Sequence, residues 1–278
     1  MTMHLGWFST GRDEGARNLL STVMRKRDEG LLDIDINFVF CNWEVEEEPT
    51  HPDYAQRAKF FAMVRSYDIP LLTLSWKKLC ASMKDAKKEE WRLCYGKRMR
   101  QLIYGNHFDL GVLAGYALMM DGDSCSRFDL MNLQPSLPGG PKGTRQEVIN
   151  SIIAVRAEKH GATMNICTSK WEEGPAVTYC SFPLNTPQYR KKWLDFDEAL
   201  GKRSVDLLSK DEVETTDLFK SIKLDSERRE PPLVAYTIKM FADGNATVSH
   251  GKFTADGRQL APYDLTVAVD SALDRGEI

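Results

Sequence analysis

The chain has 278 residues, enough to bury a sizeable core in one large domain or in one domain with an appendage. With 42% hydrophobic and 28% charged residues it has the composition of a globular protein, not of a disordered one. Its 37 Lys plus Arg against 40 Asp plus Glu leave a net charge of -3, which gives no electrostatic reason to expect nucleic acid or an anionic membrane surface, although local donors can hold an anionic small molecule at any net charge.

The chain opens on "MTMHLGWFSTG", without a basic segment leading into a long apolar run. No stretch approaches the roughly 18 uncharged apolar residues of a bilayer span, so the expectation is a cytoplasmic protein with no membrane partner. Cys41, Cys80, Cys94, Cys125, Cys167 and Cys180 form no C-x-x-C pair and are irregularly spaced. That pattern predicts reduced, mostly buried thiols and no metal site.

In chain order, "HLGWFS" (4–9) reads as a strand ending in a turn, and Leu19, Leu20, Val23 and Met24 give residues 15–27 helical spacing. "IDINFVFCN" (34–42) is strand-like, the acidic 43–53 a loop, 54–67 a helix and "IPLLTLS" (69–75) a strand. A helix follows over 85–105 despite Gly96; "DLGVLAGY" (109–116) has the continuous apolarity of a strand buried on both faces. Residues 128–134 form another strand, and 143–160 a helix that Gly161 caps. "ATMNICTS" and "AVTYCSFPL" read as two antiparallel strands around "KWEEGP".

This alternation predicts an α/β fold: a doubly wound, Rossmann-like, mostly parallel sheet with late antiparallel strands. After residue 185 the character changes, which divides the chain into an α/β domain over 1–185 and an extension over 186–278. The extension reads as helices near 187–209, 212–223 and 232–242, then a hairpin with a turn at Asp256-Gly257.

In a doubly wound sheet, ligands bind beyond the carboxyl ends of the strands. The loops expected there are 9–15, 43–53, 75–84, 116–127, 134–143 and 168–175. In the first of them, Ser9, Thr10, Gly11 and Gly15 stand where amides at a helix N-terminus can cradle phosphate, with Arg12 or Arg17 as a clamp; a tight βα turn would use the same glycines. "GGPKGT" (139–144) shares only composition with a nucleotide-binding P-loop, because Lys142 precedes the glycine; Thr144 reads as a helix cap. His4, His107 and His160 start strands, which places them at the edge opposite the expected site, while His51 lies in a loop on the expected side.

Taken together and in order, "DLGVLAGY", "MNLQPSLPGG" and "WEEGPAVTYCSFPL" resemble the folate-dependent formyltransferases, in particular the glycinamide ribonucleotide formyltransferase branch, over about residues 3–185. The resemblance implies transfer of a formyl group from 10-formyltetrahydrofolate, as co-substrate, to the amine of glycinamide ribonucleotide or a similar phosphorylated amine, as in purine biosynthesis. It implies small-molecule partners and no metal, and leaves a homodimer open. The phosphate turn of the family corresponds to Thr10, Gly11 and Arg12, then Gly15, Ala16, Arg17 and Asn18, with about three residues inserted. Its folate-pocket motif corresponds to Leu113, Ala114, Gly115 and Tyr116, with Ala117 and Leu118 in place of the Met-Arg of the family.

The Asn, His and Asp of the family's catalytic core correspond here to Asn132, Gln134 and Glu172, and Asn165 falls where the family often has histidine. Asn132 can donate an N–H to the oxyanion that develops as an amine adds to the formyl carbon, a contribution of about 3–4 kcal/mol. Gln134 can donate a neutral hydrogen bond but cannot carry charge or shuttle a proton. Glu172 keeps a carboxylate with one more methylene of reach. The alternatives are a different amine acceptor, or a folate- or phosphate-binding protein without catalysis.

Overall fold

The computed structural model describes residues 2–83, 87–170, 173–201, 210–249, 252–255 and 258–277. Five strands, β1 (Met3–Ser9), β2 (Ile34–Cys41), β3 (Leu71–Thr73), β4 (Leu110–Leu113) and β5 (Leu130–Gln134), run parallel in the order β3-β2-β1-β4-β5. β6 (Lys159–Ile166) adds antiparallel to β5, and β7 (Ala176–Pro183) antiparallel to β6. The sheet is thus the mostly parallel, helix-covered α/β sheet expected.

Period-two alternation sends side chains of each strand to two different cores. On one face Leu5, Trp7, Val39, Cys41, Val112 and Met131 join α1 (Glu14–Asp28) and α2 (Tyr54–Ser66). On the other, Phe8, Phe38, Phe40, Leu113 and Leu130 meet Tyr95 and Met99 of α4 (Lys88–Leu102). Strands apolar on both faces can only sit inside a sheet covered twice, which is why the apolar runs read correctly as parallel strands.

Two short helices carry no sequence signal: α3 (Trp76–Ser82) and α5 (Gly122–Arg127) lie in the expected loops 75–84 and 116–127. Each is too short to develop periodicity, and each is started by a capping side chain, Ser75 and Asp121. The helix expected over 143–160 is shorter: α6 spans Arg145–Ala154, capped by Thr144 as expected. Arg156 then takes positive φ (50°), and Gly161 is not a cap but lies within β6, where a Cβ would come within 1.9 Å of the Cys180 carbonyl oxygen.

Gly96 is explained by what it faces. A Cβ there would lie 1.7 Å from Oδ2 of Asp121, a buried carboxylate that accepts from Arg100 Nη1 and Ser124 Oγ, both at 2.5 Å. The missing side chain lets α4 close onto the start of α5. Gly96→Ala should therefore destabilise the protein by about 1–3 kcal/mol through overpacking, despite alanine's helix advantage of about 1 kcal/mol. Chemical denaturation of the variant checks this, and a midpoint at or above that of the unaltered protein would refute the packing argument.

The extension packs into the same body. α7 (Pro187–Leu200), α8 (Lys210–Glu214) and α9 (Asp217–Glu227) form a third cluster with α6, in which Phe196, Val213, Leu218, Phe219 and Ile222 meet Ile149 and Ile153. α10 (Glu230–Ala242) places Leu233, Val234, Ala235 and Ile238 in the core of the first sheet face. Through α10, the extension over 186–278 shares the main core. Glu230 also forms a two-pronged ion pair with Arg145 at the start of α6.

β8 (Thr247–Ser249), β9 (Lys252–Ala255) and β10 (Arg258–Gln259) make the expected antiparallel hairpin, extended to three strands; its Asp256-Gly257 turn lies outside the described residues. Not foreseen from sequence are β11 (Tyr263–Asp264), which joins the main sheet beside β7, and α11 (Thr266–Asp274). A two-residue strand carries no periodic signal. Among the described residues no helix is long and apolar enough to cross a membrane.

Candidate active site

Three side-chain amides meet on one face of the sheet. Asn132 is paired across the ladder with Asn165 and, on its other side, with Leu113 at the end of β4. Gln134 stands two residues beyond Asn132, hence on the same face. Asn165 Nδ2 donates to Gln134 Oε1. That bond consumes the acceptor end of Gln134 and leaves its NH₂ group as the end able to donate elsewhere. The Asn132 side chain makes no hydrogen bond among the described residues.

These amides line a narrow cleft of about 30 Å³, open to solvent, with Leu113, Tyr116, Leu118, Met119, Met120, Ile166, Cys167, Thr168, Lys170 and Gly174. One wall is therefore the loop after β4 and the other the segment after β6. β6 runs against the parallel strands, so its last residues reach the cleft across the sheet face, not from the carboxyl edge. Gly174 packs where a Cβ would come within 1.6 Å of the Ile166 carbonyl oxygen, so a residue with a side chain could not pass this close to the end of β6. Glu172 of that turn lies outside the described residues.

Of the residues expected to form a folate pocket, Leu113, Tyr116 and Leu118 face the cleft. Ala114 is fully buried in the core on the other face of the sheet; Gly115 takes positive φ (67°), which turns the loop; Ala117 points its N–H at Thr10 Oγ1 (2.9 Å). Burial raises the Tyr116 phenol well above its ordinary value, so this ring is a wall and not a proton donor. Met119, Met120, Ile166 and Cys167 are lining residues that sequence reasoning missed. The two methionines directly continue the recognised motif, and that continuity was the available signal.

The turn after β1 forms a second locus, joined to the cleft through Thr10. Thr10 N–H donates to the Gly115 carbonyl (3.0 Å) and Cys41 Sγ to the Thr10 carbonyl (3.5 Å). Gly11 has positive φ (64°) and lies against Phe60. The N-cap of α1 is Asp13, whose carboxylate accepts from Ala16 N–H (2.8 Å). Thus one amide expected to serve as a phosphate donor is already engaged by a carboxylate. Arg12 is an exposed partner of Asp13 (3.5 Å), and Arg17 Nη1 donates to Gln56 Oε1 (2.7 Å). Gly15 and Asn18 are exposed on the first turns of α1.

His160 corrects the histidine reading. Because β6 is antiparallel, its beginning lies on the carboxyl side of the parallel strands, not on the opposite side. It is still not a cleft residue: it is 2% exposed, packed edge-on to Phe182, and its Nε2 has no hydrogen-bond partner. Burial first, and the Arg145 charge second, depress its pKa to about 4. A histidine depressed in the folded state binds its proton more readily when unfolded. Its contribution is therefore present in full above about pH 6.5 and is lost as pH falls through about 4. Folding stability should drop by about 3 kcal/mol over that window on account of this residue. Denaturation as a function of pH should be flatter for His160→Gln, and identical slopes would refute the assignment.

No protein-family model matches the chain, and no curated protein matches it in sequence. Solved structures do match in fold. The phosphoribosylglycinamide formyltransferase of Coxiella burnetii aligns over 95% of this chain and 99% of its own with a TM-score of 0.65 at 17% identity. Glycinamide ribonucleotide transformylase 1 of Symbiobacterium toebii aligns over 91% and 94% with a TM-score of 0.60 at 15% identity. A formyltetrahydrofolate deformylase of Burkholderia mallei aligns over 92% of this chain and 70% of its own with a TM-score of 0.58 at 14% identity. The chain therefore has the fold that phosphoribosylglycinamide formyltransferases and formyltetrahydrofolate deformylases share.

Proposed function

We propose that the chain transfers a formyl group from 10-formyltetrahydrofolate to the primary amine of glycinamide ribonucleotide or a similar phosphorylated amine. The observation that carries this reading is the Asn132 amide, unpaired among the described residues, beside Gln134 in a cleft of which one wall is the loop after β4. The cleft has the chemistry of a folate head-group site: its walls are apolar at Leu113, Leu118, Met120 and Ile166, and its polar groups are few and convergent. Bound there, the co-substrate supplies an activated formyl carbon.

In this reading Asn132 donates its N–H to the oxygen of the formyl group as negative charge develops on it. A fixed donor aimed at that oxygen is worth about 3–4 kcal/mol because it need not reorganise during the reaction. Gln134, oriented by Asn165, offers a second neutral donor. Glu172 supplies the carboxylate that takes the amine proton. Thr10, Gly11, Arg12, Gly15, Ala16, Arg17 and Asn18 hold the acceptor's phosphate, and Thr10 couples that turn to the folate loop through Ala117 and Gly115.

Asp13 favours a second reading, formyl transfer to an amine that lacks the phosphate. Its carboxylate already occupies the N-terminus of α1, where it satisfies Ala16 N–H and would repel an anion. The two readings separate in one assay. Tetrahydrofolate release from 10-formyltetrahydrofolate is followed with glycinamide ribonucleotide and with its dephosphorylated nucleoside. Faster release with the nucleotide supports the first reading. Equal or faster release with the nucleoside supports the second, and no release with either, or with a panel of primary amines, rejects formyl transfer.

A further inference from the structure

One pair of side chains beside the cleft has no part in formyl transfer. Cys125 on α5 and Cys167, just beyond β6, place their sulfurs 3.9 Å apart although they are 42 residues apart in sequence. Neither thiol is sealed in the core, whereas Cys41 and Cys180 are. Only one of them lines the cleft; the other lies on the helix that follows the opposite wall. Cys167 lines the cleft itself, and its N–H is held by the Leu130 carbonyl (2.7 Å). Cys125 lies on the helix that begins just after Met120, another lining residue, and its N–H is held by the Asp121 carbonyl (3.1 Å).

We propose that Cys125 and Cys167 are a reversible thiol–disulfide site that ties α5 to the cleft wall after β6. A disulfide needs its sulfurs at about 2 Å, so closure brings the two sulfurs about 2 Å nearer and fixes that wall to α5. The chemistry balances with a low-molecular-weight disulfide such as oxidised glutathione as oxidant. The Cys125 thiolate attacks one glutathione sulfur and releases one glutathione thiolate. Cys167, losing its proton, attacks the Cys125 sulfur of the mixed disulfide and releases the second. Two electrons pass to the oxidant, and two glutathione thiols carry away the two protons.

Cys125 suits the attacking role. The hydrogen bond from Cys167 stabilises its thiolate and lowers its pKa, while that bond and burial raise that of Cys167. Fixing the wall that carries Cys167 should weaken folate binding, a consequence that rests on the folate reading above.

The test uses the purified chain, first reduced and then equilibrated with oxidised glutathione. Peptide mapping without reductant should find a Cys125–Cys167 cross-link, with loss of two of the six thiols and full recovery on adding dithiothreitol. The cross-link should be absent from Cys125→Ser. Both thiols remaining free, a glutathione adduct persisting on Cys125 without closure, or a cross-link to another cysteine would overturn the proposal. Binding of 5-formyltetrahydrofolate should be about tenfold weaker in the oxidised chain, because the wall that carries Cys167 can no longer adjust to the ligand. Equal affinity in both states would overturn the control of the cleft. Absence of folate binding by the reduced chain would instead reject the folate reading, while the peptide map decides the disulfide independently.

Discussion

Asn132→Ala is expected to lower formyl transfer by about 10²–10³-fold, the loss typical of removing one oxyanion donor. The fold should tolerate the change, because the Asn132 side chain is only half-buried and makes no hydrogen bond among the described residues. The rate should fall with little effect on folate affinity, since the bond is worth most when the oxygen carries charge. A matched loss of folate binding would instead make Asn132 a ground-state contact. An unchanged rate would remove it from the chemistry.

Gln134→His is expected to move in the opposite direction. An imidazole can carry positive charge and exchange a proton, which an amide cannot, and such groups typically contribute about 10²–10⁴-fold. The neighbouring Asn165, which now donates to Gln134 Oε1, is placed to donate to a ring nitrogen instead. We expect a gain of about 10-fold or more, at the low end because the surroundings are built for an amide. The gain should bring a pH dependence near the ordinary histidine pKa of about 6.5, absent from the unaltered chain. A folded variant that binds folate and shows neither gain nor new pH dependence would mean that Gln134 does not stand where the proton moves.

Both variants bear on residues that are legible in the sequence. Asn132 and Gln134 can be placed because β5 is apolar, lies amid alternating strands and helices, and ends in a Pro/Gly turn. Leu113 and Tyr116 are legible for the same reason: a strand buried on both faces leaves an unmistakable apolar run. Where sequence reading fails, the determinant is long-range. The direction of β6 is set by which neighbour it pairs with, and its reversal puts His160 at the other edge of the sheet. The contact of Gly96 with Asp121 joins residues 25 positions apart and appears in sequence only as a glycine inside a helix. The extension looks separate because its helices near residue 187 are polar, yet α10 is apolar enough to enter the main core.

The turn after β1 is an intermediate case. Its glycines and its position ahead of α1 are plain in the sequence, and Gly11 does take the left-handed conformation. The side chain that governs its charge, Asp13, is harder to see because it lies in the inserted stretch between the matching residues. Its bond to Ala16 N–H is an ordinary helix cap, and the same bond places a negative charge at the N-terminus of α1, where the proposed phosphate would bind.

The fate of a labelled formyl carbon tests the central claim most directly. With 10-formyltetrahydrofolate labelled at the formyl carbon and glycinamide ribonucleotide or another primary amine present, the account predicts that the label appears in a formamide product as tetrahydrofolate is released. Label recovered as formate in the presence of the amines, or left on the folate after prolonged incubation, would contradict it.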